Sequence, residues 1–291
     1  MRRGLASLSG LTLLGAGAAC AAVLGVDDVA YVPPTDASVG DAGVGGVRED
    51  AGSAADGRTG DGGCGLDGVR VPELKTGNAH ATFCIDALEV SAKSYYAFLA
   101  AMAGNVGDTP PRCEWNTTHK PGDINTNCET PTRPDLPMAC IDWCDAWAYC
   151  TWAGKRLCGG IDGGAAPPLP DNTALSRWFL ACSRNDDGLH TYPYGNFLDV
   201  MKCNGITRSE MIPSGSLASC QGGFDGLFDM SGNIDEFEDA CDLRDGAGDL
   251  DVCRIRGGSR NDSDLLACKG LELPQRNFQD PNVGFRCCWD P

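Results

Sequence analysis

Histidine is scarce in this chain: three in 291 residues, His80, His119 and His190. None sits in a recognisable motif, which excludes His-rich metal sites and leaves a Ser-His-Asp hydrolase without its base. No C-x2-C pair occurs among the 17 cysteines, so nothing supports a zinc ribbon or finger. Positive charge is also short, with 23 Lys and Arg against 40 Asp and Glu and a net charge of −17. A surface that acidic repels phosphate backbones, and nucleic acid is not an expected partner. Gly222-Gly223 and Gly257-Gly258 lack the Lys-Ser/Thr and following helix of a phosphate loop. What the chain does have is 42% apolar residues, enough for a core. Its cysteines are also too many for a reducing compartment, and disulfides in an oxidising one account for them better.

The first 20 residues read as an export signal. Met1-Arg2-Arg3 is basic, residues 4 to 26 carry no charge, and Cys20 follows Gly17-Ala18-Ala19. This resembles a bacterial lipoprotein signal, in which Cys20 would be diacylated. Ordinary cleavage after the alanine cluster and a retained membrane helix are the alternatives. The expected location is the periplasm or outer membrane of a bacterium, with the membrane as a partner through an N-terminal lipid. Residues 21–63 are expected to form a linker. Within residues 36–63, Gly, Ala and Asp supply 19 of 28 positions and no aromatic residue occurs. Such a segment buries too little surface to fold. The other 16 cysteines, Cys64 to Cys288, lie beyond it, so 64–291 is read as one cysteine-stapled domain.

Within that domain Phe83-Cys84-Ile85-Asp86 reads as a strand. Ser91 caps a helix with Tyr95, Phe98, Leu99 and Met102 at helical spacing, ended by Gly104. Residues 105 to 138 read as a long ordered loop. Asp142 looks like the cap of a second helix, with Asp145 at the capping-box position and Gly154 as its C-cap. A third helix is expected over 173–182, followed by short strands and Gly-rich turns, which makes the domain α+β with much irregular structure. Asp242, Asp245, Asp249 and Asp251 lack EF-hand spacing and read as a solvated loop between Cys241 and Cys253.

Four stretches, in order, resemble the formylglycine-generating enzyme, or sulfatase-modifying factor, family. They are Phe83 to Asp86 with Glu89-Val90-Ser91; Ile141 to Ala146 with Tyr149-Cys150 and Gly154-Lys155-Arg156-Leu157; Tyr192 to Asn196 with Gly226 to Asn233 and Glu236-Phe237; and Arg256-Gly257-Gly258-Ser259 with Gly284-Phe285-Arg286. The resemblance implies a C-type-lectin-like fold whose terminal strands lie side by side. That places Cys84 within reach of Cys287 or Cys288, and the pairs Cys113–Cys128, Cys203–Cys220 and Cys241–Cys253 are expected locally.

The family's enzymes bind Cu(I) through two cysteines and use oxygen to convert a substrate cysteine to formylglycine; soft sulfur suits that ion. Those cysteines fall three and eight residues after the serine of the Gly-Gly-Ser motif, which here are Asp262 and Ala267, with Cys268 one residue late. Asp235 stands where the family has tryptophan, and the stretch Leu175 to Phe179 also departs from its pattern. The implied function is therefore a noncatalytic envelope protein binding an unknown protein or carbohydrate ligand. A formylglycine-generating oxidase with a modified site, for which Ser259 and Cys268 are the remaining catalytic candidates, is the alternative, and a purely structural envelope role is a third reading. Copper is not expected. Calcium is, on Asp229, Glu236 and the backbone carbonyls of Gly232 and Ile234, with Asn204 resembling a ligand of a second family site.

Overall fold

The computed structural model describes residues 63–76, 79–167, 175–185, 188–244 and 246–291. The expected export signal with Cys20, and the linker to residue 62, lie outside the described residues. Two strands open the domain, β1 (Gly68–Thr76) and β2 (Ala79–Asp86), paired antiparallel. Phe83, Cys84 and Ile85 of β2 are all fully buried, so this strand is covered on both faces.

Helix α1 (Ala92–Met102) starts where a hydroxyl replaces a missing backbone partner: Ser91 accepts from the Ser94 amide at 3.2 Å. It buries Ala92, Tyr95 and Phe98, and ends through Ala103 in the left-handed region, at φ 51°. Helix α2 (Trp143–Trp152) carries the full capping box, with Asp142 holding the Asp145 amide and Asp145 holding the Asp142 amide. Its C-cap is Ala153, with Gly154 one position further in the left-handed region at φ 73°. Tyr95 of α1 stacks on Tyr149 of α2 at 5.8 Å, and both meet Phe285 edge-on, which ties the helices to the C-terminal strands.

β3 (Arg156–Leu157) follows α2, and α3 covers Arg177–Ser183. The helix expected from 173 is shorter than that. Ser176 accepts from the Phe179 amide at 3.0 Å and serves as its start, while residues 173 and 174 lie outside the described residues. β4 (Arg184–Asn185) and β5 (Gly188–Leu189) pair antiparallel. Then come β6 (Asp235–Asp242), β7 (Val252–Arg256), β8 (Leu271–Glu272), β9 (Val283–Phe285) and β10 (Cys287–Trp289). One sheet runs β1-β2-β10-β3 and another β8-β7-β6-β9, with β6 and β9 parallel. The strand expected through Phe83 and the last strand do lie together: β10 pairs antiparallel with β2.

Eight disulfides use every cysteine from Cys64 to Cys288. Cys203–Cys220 and Cys241–Cys253 are bonded. Cys84 is not bonded to the last strand but to Cys64. The register explains why: Cys84 stands opposite Trp289, while Cys287 reaches Cys150 on α2 and Cys288 reaches Cys158 just beyond β3. Cys113 and Cys128 do not pair with each other either. Cys113 bonds Cys144 in the first turn of α2 and Cys128 bonds Cys140 just before it, so the long loop is fastened to the helix rather than to itself. The acidic loop after β6 is not solvated throughout. Asp251 is buried, accepts from Arg112 Nε at 2.7 Å and forms an ion pair with Arg276 Nη2 at 3.0 Å.

Candidate functional site

The turn after β7 carries Gly257 and Gly258 at φ 96° and 64°. A side chain on Gly258 would come within 2.9 Å of the Leu265 backbone, so the loop 259–268 folds back tightly onto the turn. Ser259 is buried and uses both its groups locally: its amide and hydroxyl donate to Asp262 Oδ2 at 2.8 and 2.7 Å. The loop is fixed from below by the Ser231 hydroxyl donating to the Leu266 carbonyl at 2.7 Å. Cys268 is fully buried and bonded to Cys182 of α3. Asp235 is buried nearby. Its carboxyl is pushed well up by burial, and then by the negative charges of Asp262 and Glu272. Among the described residues, no cysteine retains a free thiol in this region.

Beneath this loop lies the turn leading into β6. Asp229 and Asn233 adopt left-handed backbone at φ 56° and 67°, and Gly232 does so at 80°. A side chain at Gly232 would meet the Asn204 carbonyl at 2.4 Å, so glycine is required by close approach as well as by φ. Asn233 is the hub: its Oδ1 accepts from Asn204 at 2.9 Å and its Nδ2 donates to Glu89 Oε1 at 3.0 Å. Asp229 Oδ2 accepts from the Gly215 amide at 2.5 Å.

Glu236 is engaged differently. Arg286 donates to both its oxygens, each at 2.7 Å, and Trp178 Nε1 donates to Oε2 at 2.8 Å. The pair is fully buried, and the fork-to-fork geometry satisfies the planar guanidinium. Four buried oxygens in this region have no hydrogen-bond partner among the described residues: Glu89 Oε2, Asp229 Oδ1, Asn204 Oδ1 and the Ser214 hydroxyl. Burial raises the Asp229 carboxyl to about 6, with Glu236 adding to the rise while the Gly215 amide and Arg286 oppose it. Burial also pushes Glu89 well above the carboxylate range, followed by the charges of Asp229 and Glu236.

Residues 50–291 match the Sulfatase-modifying factor enzyme 1-like domain. The chain belongs to the sulfatase-modifying-factor family. A curated relative, the formylglycine-generating enzyme of Bos taurus, is 68% identical over 25 residues, which are 9% of this chain and 7% of that protein. Among solved structures, CarF is 18% identical, covering 77% of this chain and 96% of its own, with a TM-score of 0.49. PvdO from Pseudomonas aeruginosa is 18% identical, covering 78% of this chain and 93% of its own, at 0.44. The domain is an α+β, disulfide-rich member of this C-type-lectin-like fold.

Sequence-predicted residues thus gather at two neighbouring turns. Ser259, Asp262 and Cys268 form the upper one. Asp229, Gly232, Ile234, Glu236 and Asn204 belong to the lower, which is joined to the upper by the Gly232 amide donating to the Gly257 carbonyl at 2.9 Å. Sequence reasoning missed Glu89 and Arg286 as members of the lower turn. Both sit in short motifs used there only to recognise the family. It also missed Glu238, buried on β6, which accepts from Arg254, Arg256 and Ser176. Two further features went unread as well. Tyr192 and Tyr194 stack at 5.6 Å, and residues 194–200 with Lys202 line an open cavity of about 550 Å3 that includes Phe197, which is 86% exposed. Among the described residues no helix is long and apolar enough to cross a membrane.

Proposed function

We propose that this chain is a noncatalytic member of the sulfatase-modifying-factor family, exported and tethered at the cell envelope, that uses the scaffold to bind a protein or carbohydrate ligand. The observation that carries this reading is the fate of Cys268. The family's copper chemistry needs two thiolates facing one ion. Here one position holds Asp262, committed to Ser259, another holds Ala267, and the displaced Cys268 is closed onto Cys182 in the core. A carboxylate is a poor ligand for Cu(I), and a disulfide sulfur is not a thiolate. The open cavity beside Phe197 supports a binding role, because it offers aromatic and aliphatic surface next to Asn196, Asp199 and Lys202. Purified protein incubated with a sulfatase-type cysteine peptide, copper and oxygen should leave the peptide cysteine unchanged. Formation of the aldehyde on that peptide would restore the oxidase reading.

Calcium belongs to the same proposal, with a changed ligand set. Asp229 offers a buried oxygen with no donor, and a tight turn of hard oxygens suits Ca2+. Glu236 fits less well, since Arg286 and Trp178 hold both its oxygens. Asp229 with the carbonyls of Gly232 and Ile234 would hold the ion, whose role is to lock the turn that supports the upper loop. Calorimetric titration should show Asp229→Asn binding one calcium fewer than the unaltered protein. Unchanged stoichiometry in that variant would make Asp229 an ordinary hydrogen-bonding residue.

A further inference from the structure

A second concentration of carboxylates lies away from these turns, where the long loop 105–138 meets the start of α2. Asp123, Asp142 and Asp145 each bring one oxygen within 4.8 Å of the others. That spacing is what a common ion would allow, because two oxygens each about 2.4 Å from one cation lie at most about 4.8 Å apart. Proximity of acids alone would not single out a site. The deciding feature is Asp142, which is fully buried and whose Oδ2 accepts no hydrogen bond from any described residue. Its Oδ1 is already filled, by the Asp145 amide at 3.0 Å and by Asn116 Nδ2 at 3.3 Å, so Oδ2 is the atom left for a ligand. A buried carboxylate oxygen with no partner is costly, and a bound cation removes that cost.

The surrounding residues hold these oxygens in place. Gln279 is buried and donates to Asp123 Oδ1 at 2.7 Å, while its own carbonyl oxygen accepts the Ile124 and Asn125 amides, each at 3.1 Å. This clamps the turn carrying Asp123 against the C-terminal segment. Asp145 Oδ1 accepts from Asn116 Nδ2 at 2.9 Å and meets His119 Nδ1 at 3.0 Å. His119 Nε2 faces the Val106 carbonyl at 3.1 Å, so the ring is held at both nitrogens. The disulfides Cys113–Cys144 and Cys128–Cys140 fasten both arms of the loop beside the cluster, so the site is preassembled.

We infer that Asp123, Asp142 and Asp145 form a binding site for a hard divalent cation, calcium in the first instance, that joins the long loop to α2. The ligand set is all oxygen, and Asp123, the most exposed of the three, leaves room for water to complete the coordination. The test is calcium titration of the full-length, chelator-treated protein by calorimetry, using calcium alone as the probe. Asp123→Asn leaves the capping box intact, and Asp142→Asn keeps a good helix cap, so both variants should fold, as circular dichroism would check. Each should lose one bound calcium, and Asp229→Asn should keep that calcium. The inference is overturned if both Asp123→Asn and Asp142→Asn bind as many calcium ions as the unaltered protein, a count of zero in all three included.

Discussion

A single side chain decides the most at the residue scale where it is buried with a charge. Glu236 and Arg286 neutralise each other inside the core, with side-chain exposures of 1% and 0%. Removing one charge strands the other, and such losses run at about 3–5 kcal/mol. Glu236→Gln is therefore expected to destabilise the protein by that amount in denaturant unfolding, with or without calcium, which is why Asp229→Asn is the cleaner probe of the turn. Asp239 gives a pH signature of its own. Burial raises its carboxyl from 3.8 to about 6, Arg276 opposing the rise and Glu238 adding to it. A raised folded-state value means stability is fully present below pH 4 and falls as the pH climbs through 6. Asp239→Asn lacks that loss, so its stability relative to the unaltered protein should increase between pH 4 and 6 and level off above. A difference that stays flat across this range, measured by unfolding at each pH, would show Asp239 to titrate normally.

Elements were legible in the sequence wherever a local signal sufficed. Ser91 and the Asp142/Asp145 capping box marked the starts of α1 and α2, because caps are short-range hydrogen bonds between residues three apart. Ser91→Ala should cost about 1 kcal/mol, read from the shift in unfolding midpoint. The strand through Phe83 and Ile85 was visible for the same reason, as a compact apolar run. What was not legible depends on which elements meet. Cys113 and Cys128 flank one loop in sequence, yet each finds its partner at the head of α2, since spacing along the chain says nothing of which Cβ atoms converge. Asp251 read as one more solvated acid because Arg112 and Arg276, which surround it, are far from it or unremarkable in sequence. At the candidate site, the residue types at Asp262, Ala267 and Asp229 could be read in advance. The Cys182 partner of Cys268, the Arg286 partner of Glu236 and the orphaned oxygen of Glu89 required three dimensions.

For the molecule as a whole, the disulfides replace what a larger regular core would supply. Long segments are irregular, and the bonds Cys150–Cys287 and Cys158–Cys288, spanning 137 and 130 residues, tie the last strand to α2 and β3. In the chain-entropy account, closing one loop of this size is worth about 5 kcal/mol. The protein denatured without reductant should therefore show no thiol from the domain, so a reagent count should find at most Cys20. On the proposed noncatalytic reading the same closure matters for chemistry, because the sixteen paired cysteines of the domain offer no thiolate to copper. Titration of the oxidised, folded protein with Cu(I) against a chelating competitor puts this most directly to the test. The expected result is no stoichiometric Cu(I) binding and no copper-dependent oxygen uptake. One tightly bound Cu(I) per chain, lost in Cys268→Ser, would contradict it and return Cys268 to a catalytic role.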